Sequence, residues 1–185
     1  MDRDYSGGFT LTELMVVLTI TAILIIYSAP SFIDLIRANR LSTQTNIFIT
    51  AMNLARSEAI SRNERVLLCI HNGNQCGTTD QWEQGWIVFA DQNGNSTIDT
   101  GELIRQFEPL QTGYLLRPNI STSSLIYYGD GRVRRGSGGL PLVTFRLCAP
   151  DAVTGKIAER TKELVINASG RMRIQKGREG KTLCP

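Results

Sequence analysis

Imidazole is nearly absent from this chain, in which His71 is the only histidine. A serine or cysteine nucleophile would have to take that residue as its base, and nothing around it resembles a nucleophile motif. Zinc fares no better, because Cys69, His71 and Cys76 offer three donors with no fourth ligand apparent. "GREGKT" imitates the end of a phosphate-binding loop, but Gln175 stands where its first glycine belongs. No catalytic constellation, cofactor or resident metal is therefore expected. A strong charge excess is also missing: 20 Lys and Arg against 17 Asp and Glu leave +3, too little to announce a polyanion partner in bulk. The basic flank of a secretory signal is missing too, since "MDRDYSGG" carries Asp2 and Asp4 against Arg3.

Charge vanishes altogether between Glu13 and Asp34, over residues dense in Leu, Ile and Val as far as Ile26. As a helix rising about 1.5 Å per residue, 14–33 reaches about 30 Å, one membrane crossing. Glu13 at its edge raises a physical question, because a carboxylate at a bilayer centre costs roughly 2.5–3.5 kcal/mol on insertion scales. It needs a partner. The four cysteines fit two disulfides; spacing suggests Cys69 with Cys76 and Cys148 with Cys184, although four cysteines allow three pairings. Oxidised, they place the following domain outside the cytoplasm. Arg37 and Arg40, just after the span, argue the opposite orientation under the positive-inside rule, but their excess is small and the cysteines outweigh it.

The stretch "GGFTLTELMVVL" resembles the leader junction of type IV pilins and type II secretion pseudopilins. "LARSEAISRNERV" (54–66) and "GWIVFADQNGN" are similar to segments of the FimT, FimU and GspH group of minor pilins and pseudopilins. The resemblance implies that a prepilin peptidase removes residues 1–8, cutting after Gly8, and methylates Phe9. It implies that Glu13 meets the N-terminal ammonium of a neighbouring subunit during assembly, and that Pro30 bends the first helix. It also implies an inner-membrane protein, its C-terminal domain periplasmic, that joins other pilins in an extracellular pilus.

The expected fold class is α+β, a pilin-like long helix followed by an antiparallel β-sheet domain. Residues 9–36 form the transmembrane or filament-core half of the helix, and residues 37–64 its amphipathic half. Leu41, Phe48, Met52, Ala55 and Ala59 draw one apolar stripe there. From residue 65 to 185 short β-rich runs ("RVLLCI", "GWIVFA", "ELIRQF", "SLIYYG", "LVTFRLC", "KELVINA", "RMRIQ") alternate with Gly, Asn, Asp and Pro clusters. Trp82, Trp86, Tyr127 and Tyr128 read as packing residues more than as base-stacking platforms. Residues 129–141, "GDGRVRRGSGGLP", read as a mobile loop.

The basic residues cluster late. If Arg171 to Ile174 is a strand, Arg171 and Arg173 share one face while Met172 and Ile174 take the other. Lys176, Arg178 and Lys181 follow, and together these residues could hold double-stranded DNA through its phosphates without reading bases. "GRMR" at 170–173 resembles the C-terminal motif of FimT-type pilins, which implies DNA uptake in natural transformation. Arg132, Arg134 and Arg135 are candidates to extend the patch. The alternative is a FimU- or GspH-type subunit that primes pilus or pseudopilus assembly without touching DNA. In "DQNGNSTIDTGE", Asp91, Asn93, Asn95, Thr97, Asp99 and Glu102 take the ligand spacing of a calcium loop, but Ser96 replaces its turn glycine and the entering segment reads as strand. Plain turn chemistry is the favoured reading there.

Overall fold

The computed structural model describes residues 8–139, 142–150, 152 and 160–177. Helix α1 spans Leu11–Arg62. Residues 28–31 are described only as part of this helix, so the bend expected at Pro30 lies outside the described residues.

Both ends of α1 are written in the sequence. At its start, Glu13 N–H donates to Thr10 Oγ1 at 3.2 Å while Thr10 N–H donates to Glu13 Oε2 at 3.1 Å. This is a capping box, in which two amides left over by the first turn are satisfied reciprocally. At its finish, Asn63 turns left-handed with φ +54°, Glu64 N–H reaches Ala59 O at 3.2 Å and Asn63 N–H reaches Ile60 O at 3.4 Å. That pair of bonds is the Schellman arrangement that closes the last carbonyls of a helix.

The chain divides into two compact units, Met1–Asn39 and Arg40–Pro185. In the first, the described side chains of α1 are exposed, among them Leu14, Val16, Leu18, Ile20, Leu24 and Ile26. The helix is long and apolar enough to cross a membrane. Its threonines suit an apolar medium: Thr19 Oγ1 donates to Met15 O at 2.6 Å and Thr21 Oγ1 to Val17 O at 2.7 Å, so neither hydroxyl needs water.

In the second unit the apolar stripe is buried as expected, with Leu41, Phe48, Met52, Ala55 and Ala59 all 2% exposed or less. Two antiparallel sheets supply the rest of the core. One contains β1 (Val66–Asn72), β2 (Gln75–Cys76), β3 (Trp86–Ala90), β4 (Leu103–Phe107), β6 (Ser124–Tyr127) and β7 (Val133–Arg135), ordered β4-β3-β1-β6-β7 with β2 paired to β1. The other contains β5 (Leu115–Pro118), β8 (Val143–Cys148), β9 (Thr161–Ile166) and β10 (Met172–Lys176), ordered β10-β9-β8-β5. One hydrophobic cluster takes the α1 stripe together with Val66, Leu68, Val88, Phe145, Leu164 and Ile166, so both sheets contribute to it. Phe48 is its hub, with ring centroids 5.5 Å from Trp82, 5.0 Å from Trp86 and 4.9 Å from Phe145.

Strands β1 and β3 carry a second cluster on their opposite face: Leu67, Cys69, Ile87 and Phe89, with Ile126. Burial on both faces explains why "VLLCI" and "WIVFA" are continuous apolar runs and not alternating ones. Part of the cover is the 91–102 loop, whose Ile98 packs there while its N–H donates to Asn74 O at 2.9 Å. Residues 129–139 correct the mobile-loop expectation for 129–141, whose last two residues lie outside the described residues, because Val133–Arg135 form β7 and pair with β6 in register Tyr127↔Val133. Three strands, β2, β5 and β7, lie outside the runs read as strands. They are short, and Gly or Pro interrupts their pattern.

Phe48→Ala should lower the unfolding free energy by about 3–5 kcal/mol, whereas Ile120→Ala on the exposed surface should change it by about 0.5 kcal/mol. Urea unfolding followed by fluorescence of Trp82 and Trp86 in neutral detergent checks both.

Candidate functional site

The β9–β10 hairpin presents the arginines singled out in the sequence. Asn167 builds its turn: Asn167 N–H donates to Arg171 O at 3.1 Å, Gly170 N–H donates to Asn167 O at 3.0 Å, and Arg171 N–H donates to Asn167 Oδ1 at 2.9 Å. Arg171 lies just before the strand and not within it, because β10 begins at Met172. Arg171 and Arg173 are both exposed, and neither makes an ion pair among the described residues. Met172 packs on the core as expected, but Ile174 on the same face is 49% exposed.

Register decides which charges Arg173 meets. It pairs with Val165, and Val165 pairs with Thr144, so no carboxylate lies across the ladder. The neighbouring row differs: Glu163 accepts from Gln175 Nε2 at 2.9 Å and lies 3.5 Å from Arg146 Nε. Lys176 pairs with Lys162, a position whose parity is that of core residues Leu164 and Ile166, so it does not share the face of Arg173. Arg178 and Lys181 lie outside the described residues.

Gly170 is required where it stands. Its φ is +72°, and a Cβ there would sit 2.5 Å from Gly131 O. The same carbonyl accepts from Arg56 Nε at 3.3 Å. Arg56 escaped attention in the sequence because it stands beside, and not on, the core stripe. Ile49, Asn53, Arg56 and Ile60 repeat at helical spacing, and the first three line a groove of about 290 Å³ with Gly170, Arg171 and Met172. That secondary stripe was the available signal. Nearby, Arg132 Nη2 pairs with Asp130 Oδ2 at 2.6 Å, and Arg134 lies over the Tyr128 ring at 6.0 Å. Trp82, Trp86 and Tyr127 are core residues, and burial pushes the Tyr127 hydroxyl well above the usual tyrosine range, against a smaller lowering by Arg56.

At the other end of the chain, Phe9 is 90% exposed next to the capping box that occupies Glu13. Residues 1–7 of the expected leader lie outside the described residues.

The calcium-spaced loop spends its oxygens on N–H groups. Asp91 is fully buried against Arg65 Nη2 at 3.0 Å; Asp99 Oδ2 accepts from Asn93 and Asn95 side-chain amides at 2.6 and 3.0 Å; Glu102 accepts from the N–H groups of Gln92 and Asp99 at 3.1 and 3.0 Å. Its geometry is that of a hydrogen-bonded cover over β1 and β3. Cys69 and Cys76 form a disulfide, Cα atoms 5.5 Å apart, which removes them as metal ligands. Cys148 is also disulfide-bonded, and its expected partner Cys184 lies outside the described residues.

Residues 44–170 match the family described as type II transport protein GspH. The chain belongs to the GspH family. Residues 3–28 match the prokaryotic N-terminal methylation motif. The fold is similar to two crystal structures of the type IV minor pilin FimU from Pseudomonas aeruginosa PAO1. One has a TM-score of 0.57 at 16% identity over 74% of this chain and 89% of that one; the other has 0.50 at 15% over 72% and 90%. The minor pseudopilin EpsH of the Vibrio cholerae type 2 secretion system is also similar, with a TM-score of 0.45 at 12% identity over 75% and 94%. No curated protein matches the chain. This GspH-family chain is thus a structural subunit of the minor pilin and pseudopilin kind, a family of associating subunits and not of enzymes. The family match ends at Gly170, one residue before the exposed arginines.

Two outcomes follow from the hairpin and the turn beside it. Gly170→Ala should destabilise the domain by at least about 1–2 kcal/mol, the cost of a left-handed L-residue, before the clash with Gly131 O is added; thermal unfolding reads it. The Asp130 carboxyl is held below the ordinary carboxylate range, first by the Arg132 backbone N–H and then by its guanidinium. A depressed folded-state value means that this interaction stabilises above the unfolded carboxyl's range and is lost as pH falls through the folded one. Arg132→Gln should return the Asp130 midpoint part of the way upward in a carboxyl NMR titration.

Proposed function

We propose that this subunit is a minor type IV pilin most like FimT, which holds extracellular double-stranded DNA through phosphates and supports its uptake in natural transformation. The observation that carries the reading is the exposed pair Arg171 and Arg173, anchored on a hydrogen-bonded hairpin and unpaired among the described residues. Arg171 and Arg173, two residues apart, have Cα atoms at most roughly 7 Å apart, a span that suits successive phosphates once side-chain reach is added. Lys176, Arg178 and Lys181 add charge to the same end of the chain.

The rest of the life cycle follows the N-terminal motif. A prepilin peptidase removes residues 1–8 after Gly8 and methylates Phe9. Residues 9–36 anchor the subunit in the inner membrane with residues 65–185 in the periplasm, and residues 37–64 carry that domain on their apolar stripe. On assembly Glu13 exchanges its capping bonds for the ammonium of an adjacent pilin, and the subunit enters an extracellular pilus. A second reading, a priming subunit of a pilus or secretion pseudopilus without DNA affinity, is favoured by one observation: residues 44–170 match the GspH family.

Gel shifts of duplex DNA with the full chain in neutral detergent, across a salt series, separate the two. For four neutralised phosphates, log affinity should fall with log salt at a slope of about −3.6, and Arg171→Gln with Arg173→Gln should bring it to about −1.8. Affinity that is negligible at physiological salt, or untouched by the double substitution, supports the priming subunit instead.

A further inference from the structure

The two turns that carry this chain's arginine clusters touch each other. In the β6–β7 turn, Gly131 N–H donates to Tyr128 O at 2.8 Å and Tyr128 N–H donates to Arg132 O at 3.0 Å. Gly131 has φ +77°, and its carbonyl oxygen approaches Gly170 of the β9–β10 turn so closely that a Cβ on Gly170 would be 2.5 Å away. Arg56 donates to the same carbonyl and lies against Gly170 as well, bracing the junction from the helix. Covalent geometry then keeps the Cα atoms of Arg132 and Arg171, the residues that follow these two glycines, within roughly 11 Å of each other. That is about the axial length of three nucleotides at 3.4 Å each.

The arginines leaving the β6–β7 turn are displayed on one side of their strand. Arg134 pairs with Ile126, so it shares the face of the second cluster, opposite Tyr127 and Val133, and by alternation Arg132 does too. Arg134 is exposed and makes no ion pair among the described residues. Arg132 is bound to Asp130, but that pair is 71% and 45% exposed, the class of ion pair that contributes least to stability and exchanges most readily.

Resting on the DNA reading above, we propose that the two turns form one phosphate-binding surface: Arg132 and Arg134 hold the same duplex as Arg171 and Arg173, with Asp130 as an internal competitor. When a phosphate reaches Arg132, the carboxylate is displaced and its charge then repels the DNA. Asp130 therefore sets the affinity of the surface.

The test uses the full chain in neutral detergent, a fluorescent DNA duplex of random sequence, and variants whose thermal unfolding matches the parent. Arg132→Gln and Arg134→Gln should each weaken binding and reduce the salt slope by about 1, while Asp130→Asn should tighten binding at every salt concentration. Parental affinity and slope in both arginine variants, with the loss confined to Arg171→Gln and Arg173→Gln, would limit the site to the C-terminal hairpin; the DNA reading would survive and the joint surface would not. Loss in none of the four variants overturns both. Weaker or unchanged binding by Asp130→Asn, with the arginine effects present, overturns the competitor role alone.

Discussion

Phe48 and the small residues behind it set the terms for the folded domain. A helix that presents Phe48 between Trp82, Trp86 and Phe145, and then Ala51, Ala55 and Ala59 in succession, brings its backbone close to the sheets after one large anchor. Both sheets direct their inner residues at that one stripe. In the N-terminal unit the same helix exposes its described apolar side chains, and it is long and apolar enough to cross a membrane. One secondary-structure element therefore carries an exposed apolar run and a buried stripe, and the sequence marks the change where an all-round apolar run gives way to a periodic one.

Given that helix, the sheet of β4, β3, β1, β6 and β7 has a problem of its own. Its two central strands are apolar on both faces, and the helix stripe reaches only one. The 91–102 segment answers it by laying Ile98 over the second face and by knitting its Asn and Asp side chains together beside the buried Asp91, which pairs with the half-buried Arg65. The spacing that imitates a cation loop is what a tight, self-bonded cover made of turn residues looks like in one dimension.

Much of this was legible beforehand. The stripe from Leu41 to Ala59 is strictly periodic, and its burial depends only on that period. The runs at Val66 and Trp86 read as strands because β-branched and aromatic residues fill them. The capping box was equally legible, as a threonine three residues ahead of a glutamate at the helix start. What sequence did not carry was tertiary adjacency. The contact between Gly131 and Gly170 joins positions far apart in the chain, and neither glycine announces whether it serves a turn or a close approach. Arg56 was hidden for the same reason, since its partner carbonyl lies on another element. Lys176 was grouped with its arginine neighbours by proximity along the chain, whereas strand alternation turns it to the other face.

Glu13 closes the helix start in the single chain. In the single chain its carboxylate satisfies Thr10 N–H, a modest local role that leaves it exposed and exchangeable. Removing the leader would create an ammonium at Phe9, and the same carboxylate on a neighbouring subunit could then meet that charge in an apolar core, where the pair is worth far more than a cap. The account stands on that cleavage. Intact mass spectrometry of the protein purified from its native host tests it most directly: the account predicts a chain that begins at Phe9 with one N-methyl group, and an unmethylated chain that still begins at Met1 would contradict it.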